Sequence, residues 1–403
     1  MIGRVLWLFS LLIIIDLVLL LGIRRLAVLS VGDRTRKWLS LAHFAIAGGF
    51  LVFSILFFLL QGDPMLDPGV FRSYFIWSDT FLLVYMTKSI LAVFILLNAL
   101  INLIFRKHKK LITTIFMALG CTLALSILIL LADGIINGVY RFKLREVEVI
   151  SDRLPASFDG FRIVQLSDVH LGSFKNEADV KAGLSLIASA HPDLLLITGD
   201  LINVNYKEAH PYLPLFKQLQ APYGKYAILG NHDIGDYTRL NKIDALGYNS
   251  KGLTTFYHDA GWNLMRNEHI FLHKGLDSIA LLGVDNWSMS KFRKLGRLDL
   301  ANKGVDAQTF SILMSHDPSH WRAEVTENTR IDLMLAGHTH GMQMGINDYG
   351  IKWSPISWKY PEWLGLYSEG QQFLYVNAGF GFLGFSGRIG IWPEVTVLVL
   401  RKK

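Results

Sequence analysis

Of the chain's 403 residues, 51% are hydrophobic and 18% charged, against about a quarter charged in a soluble protein, so part of it belongs in lipid and its bulk is not disordered. A single cysteine, Cys121, excludes an internal disulfide framework and any thiolate metal site. The net charge of +7 is concentrated in two short segments beside apolar runs, a topology signal and not a groove for phosphate backbones, so no nucleic-acid partner is expected.

The chain divides at about residue 140. Residues 1–140 read as a four-helix transmembrane region, with apolar stretches at about 5–23, 38–60, 80–105 and 111–131, each near the ~20 residues that span a bilayer. Arg24-Arg25 follows the first stretch directly and no small-x-small site does, so it reads as a retained helix and not as a cleaved signal. The first loop holds Arg24, Arg25, Arg34, Arg36 and Lys37, and the third holds Arg106, Lys107, Lys109 and Lys110. The second, 61–79, has Arg72 as its only base, beside Asp63, Asp67 and Asp79. Basic loops stay cytoplasmic. This places both termini and everything after residue 140 on the non-cytoplasmic side, although Arg141, Lys143 and Arg145 pull the other way. Asp16 and Lys88 fall inside spans, separated by roughly 10 Å in depth at 1.5 Å per residue. No direct ion pair is expected between them; each snorkels or faces the bundle interior.

Residues 141–403 have the composition of a globular α/β domain, long enough for a full core. Short apolar runs end in polar clusters: 162–166 in Ser167-Asp168, 193–198 in Gly199-Asp200, and 226–229 in Gly230-Asn231-His232-Asp233. Two more follow, 311–314 ending in Ser315-His316 and 333–336 in Gly337-His338-Thr339-His340. Runs of four to six aliphatic residues read as buried strands. Residues 177–190 read as a helix, and 206–219 as one interrupted by Pro211 and Pro214. Strand–helix alternation collects ligands at the carboxyl ends of strands.

Those five ends share one chemistry. Asp168, His170, Asp200, Asn231, His232, His316, His338 and His340 are all carboxylates, imidazoles or side-chain amides. The set suits divalent metals of intermediate hardness, manganese, iron or zinc. In Asp-x-His and His-x-His, alternate side chains of an extended segment share a side, so one short segment supplies two ligands. A lone histidine is usually structural, but five of the thirteen fall at such ends beside glycine or acidic groups, which a structural role does not explain. His191, His210, His258, His269, His273 and His320 lack ligand-like spacing.

Over about residues 145–400 the sequence resembles the calcineurin-like metallophosphoesterase superfamily. The motifs Asp168-Val169-His170, Gly199-Asp200, Gly230-Asn231-His232-Asp233, Ser315-His316 and Gly337-His338-Thr339-His340 stand in the family order. Phe158-Asp159-Gly160 and Pro393-Glu394 are similar to its membrane-anchored branch, where Met342 departs from a usual second glycine. The resemblance implies a four-layer αββα sandwich of two mixed sheets between helices. It also implies two divalent cations per chain, the first held by Asp168, His170 and His340 and the second by Asn231, His316 and His338, with Asp200 bridging. Such a pair clamps a phosphoryl group and activates a bridging hydroxide for in-line attack, and His232 is the natural general acid. The expected function is membrane-tethered hydrolysis of a phosphodiester, pyrophosphate or phosphomonoester. A lipid-linked substrate suits a site tethered beside lipid, and a soluble phosphomonoester or nucleotide is the runner-up. The alternative is a non-catalytic or regulatory domain of this fold attached to a membrane sensor or transporter.

Some features carry less. Gly379–Gly384 fits GxGxxG after an expected strand at 373–376, but no helix follows, which argues against a dinucleotide site. Arg388 touches substrate phosphate on one reading and is structural on the other. Asn286-Trp287-Ser288 is a formal glycosylation sequon. Trp353, Trp358, Tyr360, Trp363, Leu366 and Tyr367 form an aromatic stretch with three readings: a cap packed on the domain, a membrane-interface belt, or an acyl-chain wall.

Overall fold

Before residue 137, runs of Leu, Ile, Phe and Ala contain no proline inside a described helix; Pro68 opens one, where its missing N–H costs nothing. The helices are α1 (Ile2–Arg25), α2 (Asp33–Leu60), α3 (Pro68–Phe81), α4 (Thr87–Ile104) and α5 (Lys109–Ile136). This computed structural model describes residues 2–60, 68–236, 242–290, 292–326, 328–348 and 350–403; Asp63 and Asp67 of the acidic loop lie outside them. The chain forms two units, 1–62 with 73–136, and 63–72 with 137–403.

Three helical segments among the described residues are long and apolar enough to cross a membrane: Asp33–Leu60, Arg72–Ile104 and Arg106–Ile136. The sequence reading expects four. Its first stretch does form α1, but most of the side chains before Phe9 lie outside the described residues, and this helix is not among the three. The third expected span also starts earlier than residue 80. A wide turn of i→i+5 hydrogen bonding at Leu82–Met86 joins α3 to α4 without breaking the helix.

That earlier start corrects the depth expected for Lys88, which now sits midway along the helix. Lys88 Nζ lies 2.7 Å from Asp16 Oδ1, Tyr85 OH donates to Asp16 Oδ2 at 3.1 Å, and His43 Nε2 is 3.8 Å from Asp16 Oδ1. The two charges form an ion pair, contrary to expectation. A second polar contact joins α4 to α5: Asn102 Nδ2 donates to Asn98 Oδ1 at 2.7 Å and to Thr113 Oγ1 at 3.2 Å. Polar side chains bond across helices in this way where lipid offers no partner. Lys88→Ala, which leaves Asp16 without its cation, is expected to destabilise the helical unit by about 3–5 kcal/mol, read as a lowered unfolding midpoint in detergent. Asp16→Leu with Lys88→Met, which removes both charges, is expected to restore most of the loss, and an unchanged midpoint for Lys88→Ala would contradict a stabilising pair.

In the second unit the strands are β1 (Lys143–Ser151), β2 (Arg162–Leu166), β3 (Leu194–Ile197), β4 (Lys225–Ala227), β5 (Asn263–Leu264), β6 (Glu268–Lys274) and β7 (Asp277–Gly283). They continue as β8 (Ser311–Met314), β9 (Leu333–Ala336), β10 (Ile346–Asp348), β11 (Ile351–Trp353), β12 (Gly365–Glu369), β13 (Gln372–Val376) and β14 (Glu394–Lys402). One six-stranded sheet runs β1-β14-β2-β3-β4-β5 and the other β12-β13-β9-β8-β7-β6. Both are mixed: β2-β3-β4-β5 and β13-β9-β8-β7 are parallel, while the β14-β2, β12-β13 and β7-β6 pairs are antiparallel.

The two-residue period of a strand explains the layering. Leu194, Leu196, Ile312, Met314, Leu333 and Leu335 point between the sheets and pack with Phe158, Phe161 and Ile279. Leu313, Met334, Ala336 and Leu374 face the other way, onto Trp321 and Val325. α6 (Glu177–Ser189) begins at Asn176, whose side chain accepts from Asp179 N–H, and buries Val180, Gly183, Leu184 and Ile187 at helical spacing. The expected helix at 206–219 is two tight turns and then α7 (Leu213–Gln218), as its prolines require. α8 (Lys242–Asp259) has no counterpart in the sequence reading, since Gly247 and Gly252 weaken its signal.

Candidate metal centre

The carboxyl ends of β2, β3 and β4 in one sheet and of β8 and β9 in the other point to one place. Asp168 and His170 follow β2, Asp200 follows β3, Asn231 and His232 follow β4, His316 follows β8, and His338 and His340 follow β9. Three overlapping groups result: Asp168, His170 and His340; His170, Asp200 and His232; Asp200, His316 and His338. Within each, the ligand atoms lie within 4.8 Å of one another. His340 Nε2 is 3.2 Å from Asp168 Oδ1, His316 Nε2 is 3.1 Å from Asp200 Oδ2, and His170 Nε2 is 3.9 Å from Asp200 Oδ2. Asn231 is buried, and neither its amide oxygen nor its nitrogen has a hydrogen-bond partner.

Holding these groups together strains the backbone. Asp168, His170, Asp200, His338 and His340 all have positive φ, between 47° and 70°, each costing on the order of 1–3 kcal/mol. Strain of this kind clusters at functional sites, where the surrounding structure holds it. Met342 (φ 52°) and Gln343 (φ 56°) continue it, so the loop after His340 turns left-handed even where methionine stands for the expected glycine. Two glycines are required for space: a Cβ at Gly230 would meet the Asp200 carboxylate, and one at Gly337 would meet Ser167 and Asp168.

The imidazoles are aimed by carbonyls. His170 Nδ1 bonds Ile202 O at 3.2 Å, His232 Nδ1 bonds Asn203 O at 2.6 Å, and His316 Nδ1 bonds Thr198 O at 2.8 Å. A carbonyl can only accept, so these rings carry Nδ1–H and present Nε2. His338 is turned the other way, with Nε2 3.1 Å from Tyr360 OH and Nδ1 toward His316.

The carboxylates and imidazoles of the site perturb one another strongly. Burial works to raise the Asp168 carboxyl, but His340, His316 and His170 outweigh it and hold it well below the usual range. Burial works to lower the His316 imidazole, yet Asp200 and Asp168 lift it to about 10. Burial lowers His170 and His232, with Asp200 opposing in both. Two buried carboxylates, an amide with no partner and inward Nε2 atoms suit divalent cations of intermediate hardness.

The family sequence pattern described as calcineurin-like phosphoesterase matches residues 161–342. An uncharacterized metallophosphoesterase of Bacillus subtilis, YkuE, is 33% identical over 260 residues, 64% of this chain and 84% of that one. This chain belongs to the calcineurin-like metallophosphoesterases. Its relatives in that family include the transmembrane protein with metallophosphoesterase domain of Danio rerio, 27% identical over 282 residues. That match covers 68% of this chain and 61% of the relative. The Bos taurus protein of the same description is 26% identical over 310 residues, 73% and 64% of the two chains.

The roles of other residues around the cluster follow from their contacts. Arg388 is fully buried and donates to the carbonyls of Ala378, Gly379, Gly381 and Ile391. It is the structural arginine of the two readings, a clamp on the glycine-rich loop. Asp233, unassigned in the sequence reading, accepts N–H bonds from Asp200, Leu201, Ile202 and Gly230 at 2.7–3.3 Å. Burial and the neighbouring Asp200 push its carboxyl up to about 8. Its place directly after the third motif was the available signal. The aromatic stretch divides: Tyr360 and Trp363 are buried with Leu364, Ala378 and Ile391, while Trp353 and Trp358 are exposed.

Proposed function

We propose that this chain is a membrane-tethered phosphoesterase using two divalent cations. The observation that carries the reading is the convergence of eight polar groups from five strand ends, with an unpartnered Asn231 amide among them. Asp168, His170 and His340 would hold one cation, Asn231, His316 and His338 the other, with Asp200 shared. Bound there, the pair supplies Lewis acidity toward a phosphoryl oxygen and a nucleophile at neutral pH.

The chain's own part is orientation and proton transfer. Asn203 O fixes the Nδ1–H of His232, so Nε2 is the atom that delivers a proton to the departing oxygen. Burial, which lowers the pKa of His232, makes its imidazolium a stronger acid. The substrate is a phosphodiester, pyrophosphate or phosphomonoester, and the tether favours one presented by lipid. A manganese-loaded preparation assayed against lipid and soluble phosphoesters side by side tests this. Hydrolysis of at least one class is expected, faster for lipid-presented esters; no hydrolysis of any by metal-replete protein would end the reading.

The catalytic domain lies on the non-cytoplasmic side in this proposal. The basic segment 24–37 leads into the helix Asp33–Leu60, and 106–110 separates the other two apolar helices. With both inside, three crossings place the domain outside whatever α1 does. Reporter fusions after Lys110 and after Lys403 are expected to report opposite sides; two cytoplasmic signals would reverse the topology.

A further inference from the structure

We propose that the face built from β10, β11 and the turn that follows docks on the surface of a lipid bilayer. Between residues 346 and 358 the domain exposes Ile346, Ile351, Trp353 and Trp358, with Trp358 82% exposed. Other large apolar residues exposed on this domain, such as Phe271, Leu276 and Met289, are scattered over different elements. Scattered ones need no explanation, whereas a gathered set marks an interaction surface.

The face is firmly mounted. β10 pairs with β11 through Ile346–Trp353 and Asp348–Ile351. Ser354 Oγ donates to Gly341 O at 2.8 Å, and its side chain accepts from Ile356 N–H at the start of the Pro355–Trp358 turn. The Trp353 and Trp358 rings meet edge to face at 6.2 Å. Beneath them Tyr360, Trp363 and Leu364 are buried. The exposed indoles therefore sit on a rigid base and do not have to fold away.

The composition fits lipid better than protein. Lys352 Nζ lies 4.1 Å from the Tyr367 ring centre, and Lys359 Nζ 4.9 Å from that of Tyr360. Indoles with an apolar body and a polar N–H match the headgroup layer, and the two lysine ammonium groups, each over a tyrosine ring beside them, suit its anionic phosphates. The chain also brings the surface with it: three of its helices are long and apolar enough to cross a membrane. Tethering makes docking an intramolecular event, so a weak affinity for lipid is enough. Tyr360 OH, 3.1 Å from His338 Nε2, ties this face to the metal centre. If the phosphoesterase proposal holds, the substrate class this implies is a phosphoryl group at headgroup depth.

The test uses the full chain in nanodiscs of mixed phosphatidylcholine and phosphatidylglycerol. In a Cys121→Ser background, Ile351→Cys carries a fluorophore within the face, and Leu276→Cys carries it at the β6–β7 turn as a control. Quenching by nitroxide lipids is compared with quenching by aqueous iodide. The label at 351 is expected to be quenched by lipid at least fivefold more, relative to iodide, than the label at 276. Adding Trp353→Ser and Trp358→Ser is expected to remove most of that difference. Equal iodide quenching at both positions would overturn the proposal, and so would a label at 351 shielded from both quenchers, which would mean a protein partner. Hydrolysis is not read here, so the outcome is independent of whether the metal centre is catalytic.

Discussion

His232→Asn is expected to cut turnover by about 10²–10⁴-fold, the range of general acid catalysis, while leaving metal content nearly intact. The side chain is fixed by Asn203 O, and its backbone N–H donates to Asp200 Oδ1 at 2.9 Å; the second contact survives the substitution. The loss is expected to shrink for nitrophenyl esters, whose leaving group needs little protonation, and to be full for alkyl esters. The sign follows from the direction of the proton: the reactive form is the imidazolium, so the contribution is present at low pH and lost as pH rises through the group's pKa. Equal losses for both leaving groups would remove His232 from the acid role.

Chelation is expected to abolish hydrolysis of an aryl phosphodiester, and manganese or a similar cation to restore it. Asp200→Asn removes a negative charge placed 3.1 Å from His316 and 3.9 Å from His170. Outer partners of metal ligands cost about 10–100-fold in metal affinity when removed, and a shared ligand is expected to cost more. Lys207→Ala, at an exposed position on the neighbouring turn, is expected to change nothing measurable. Metal content by atomic spectroscopy and turnover are read together. Full activity in protein verified to be metal-free would end the dinuclear proposal.

The sequence shows its strands where burial is two-sided and its site where strands end. Residues 162–166, 311–314 and 333–336 are strands with the expected bounds, because an unbroken aliphatic run between polar clusters admits few alternatives. The ligand-type residues after them are legible for the same reason. Sheet order is not: β14, last in sequence, pairs with both β1 and β2, and no local pattern encodes a partner more than two hundred residues away. The Asp16–Lys88 pair is hidden because the apolar run starts near residue 80 while the helix starts earlier, and a displaced start shifts every residue in depth. Arg388 is not assignable from sequence because all but one of its partners, the His340 ring, are carbonyls, which every residue carries. Asp233 is not legible because its role is to accept backbone N–H bonds, which leave no side-chain spacing to read.

The segment 198–205 after β3 has a consequence for how this centre can change. It contributes Asp200, and its carbonyls at Thr198, Ile202 and Asn203 aim histidines that belong to three other loops. Asp233 receives its N–H groups at 200, 201 and 202, and Glu208 those at 203, 204 and 205. Surface loops ordinarily absorb insertions and drift in sequence. This one works as a jig: its peptide groups, not its side chains, set the aim of rings it does not carry. A single inserted residue would rotate that pattern out of register and disturb both halves of the centre at once. Variation in what the domain accepts as substrate is therefore to be sought in the other loops around it.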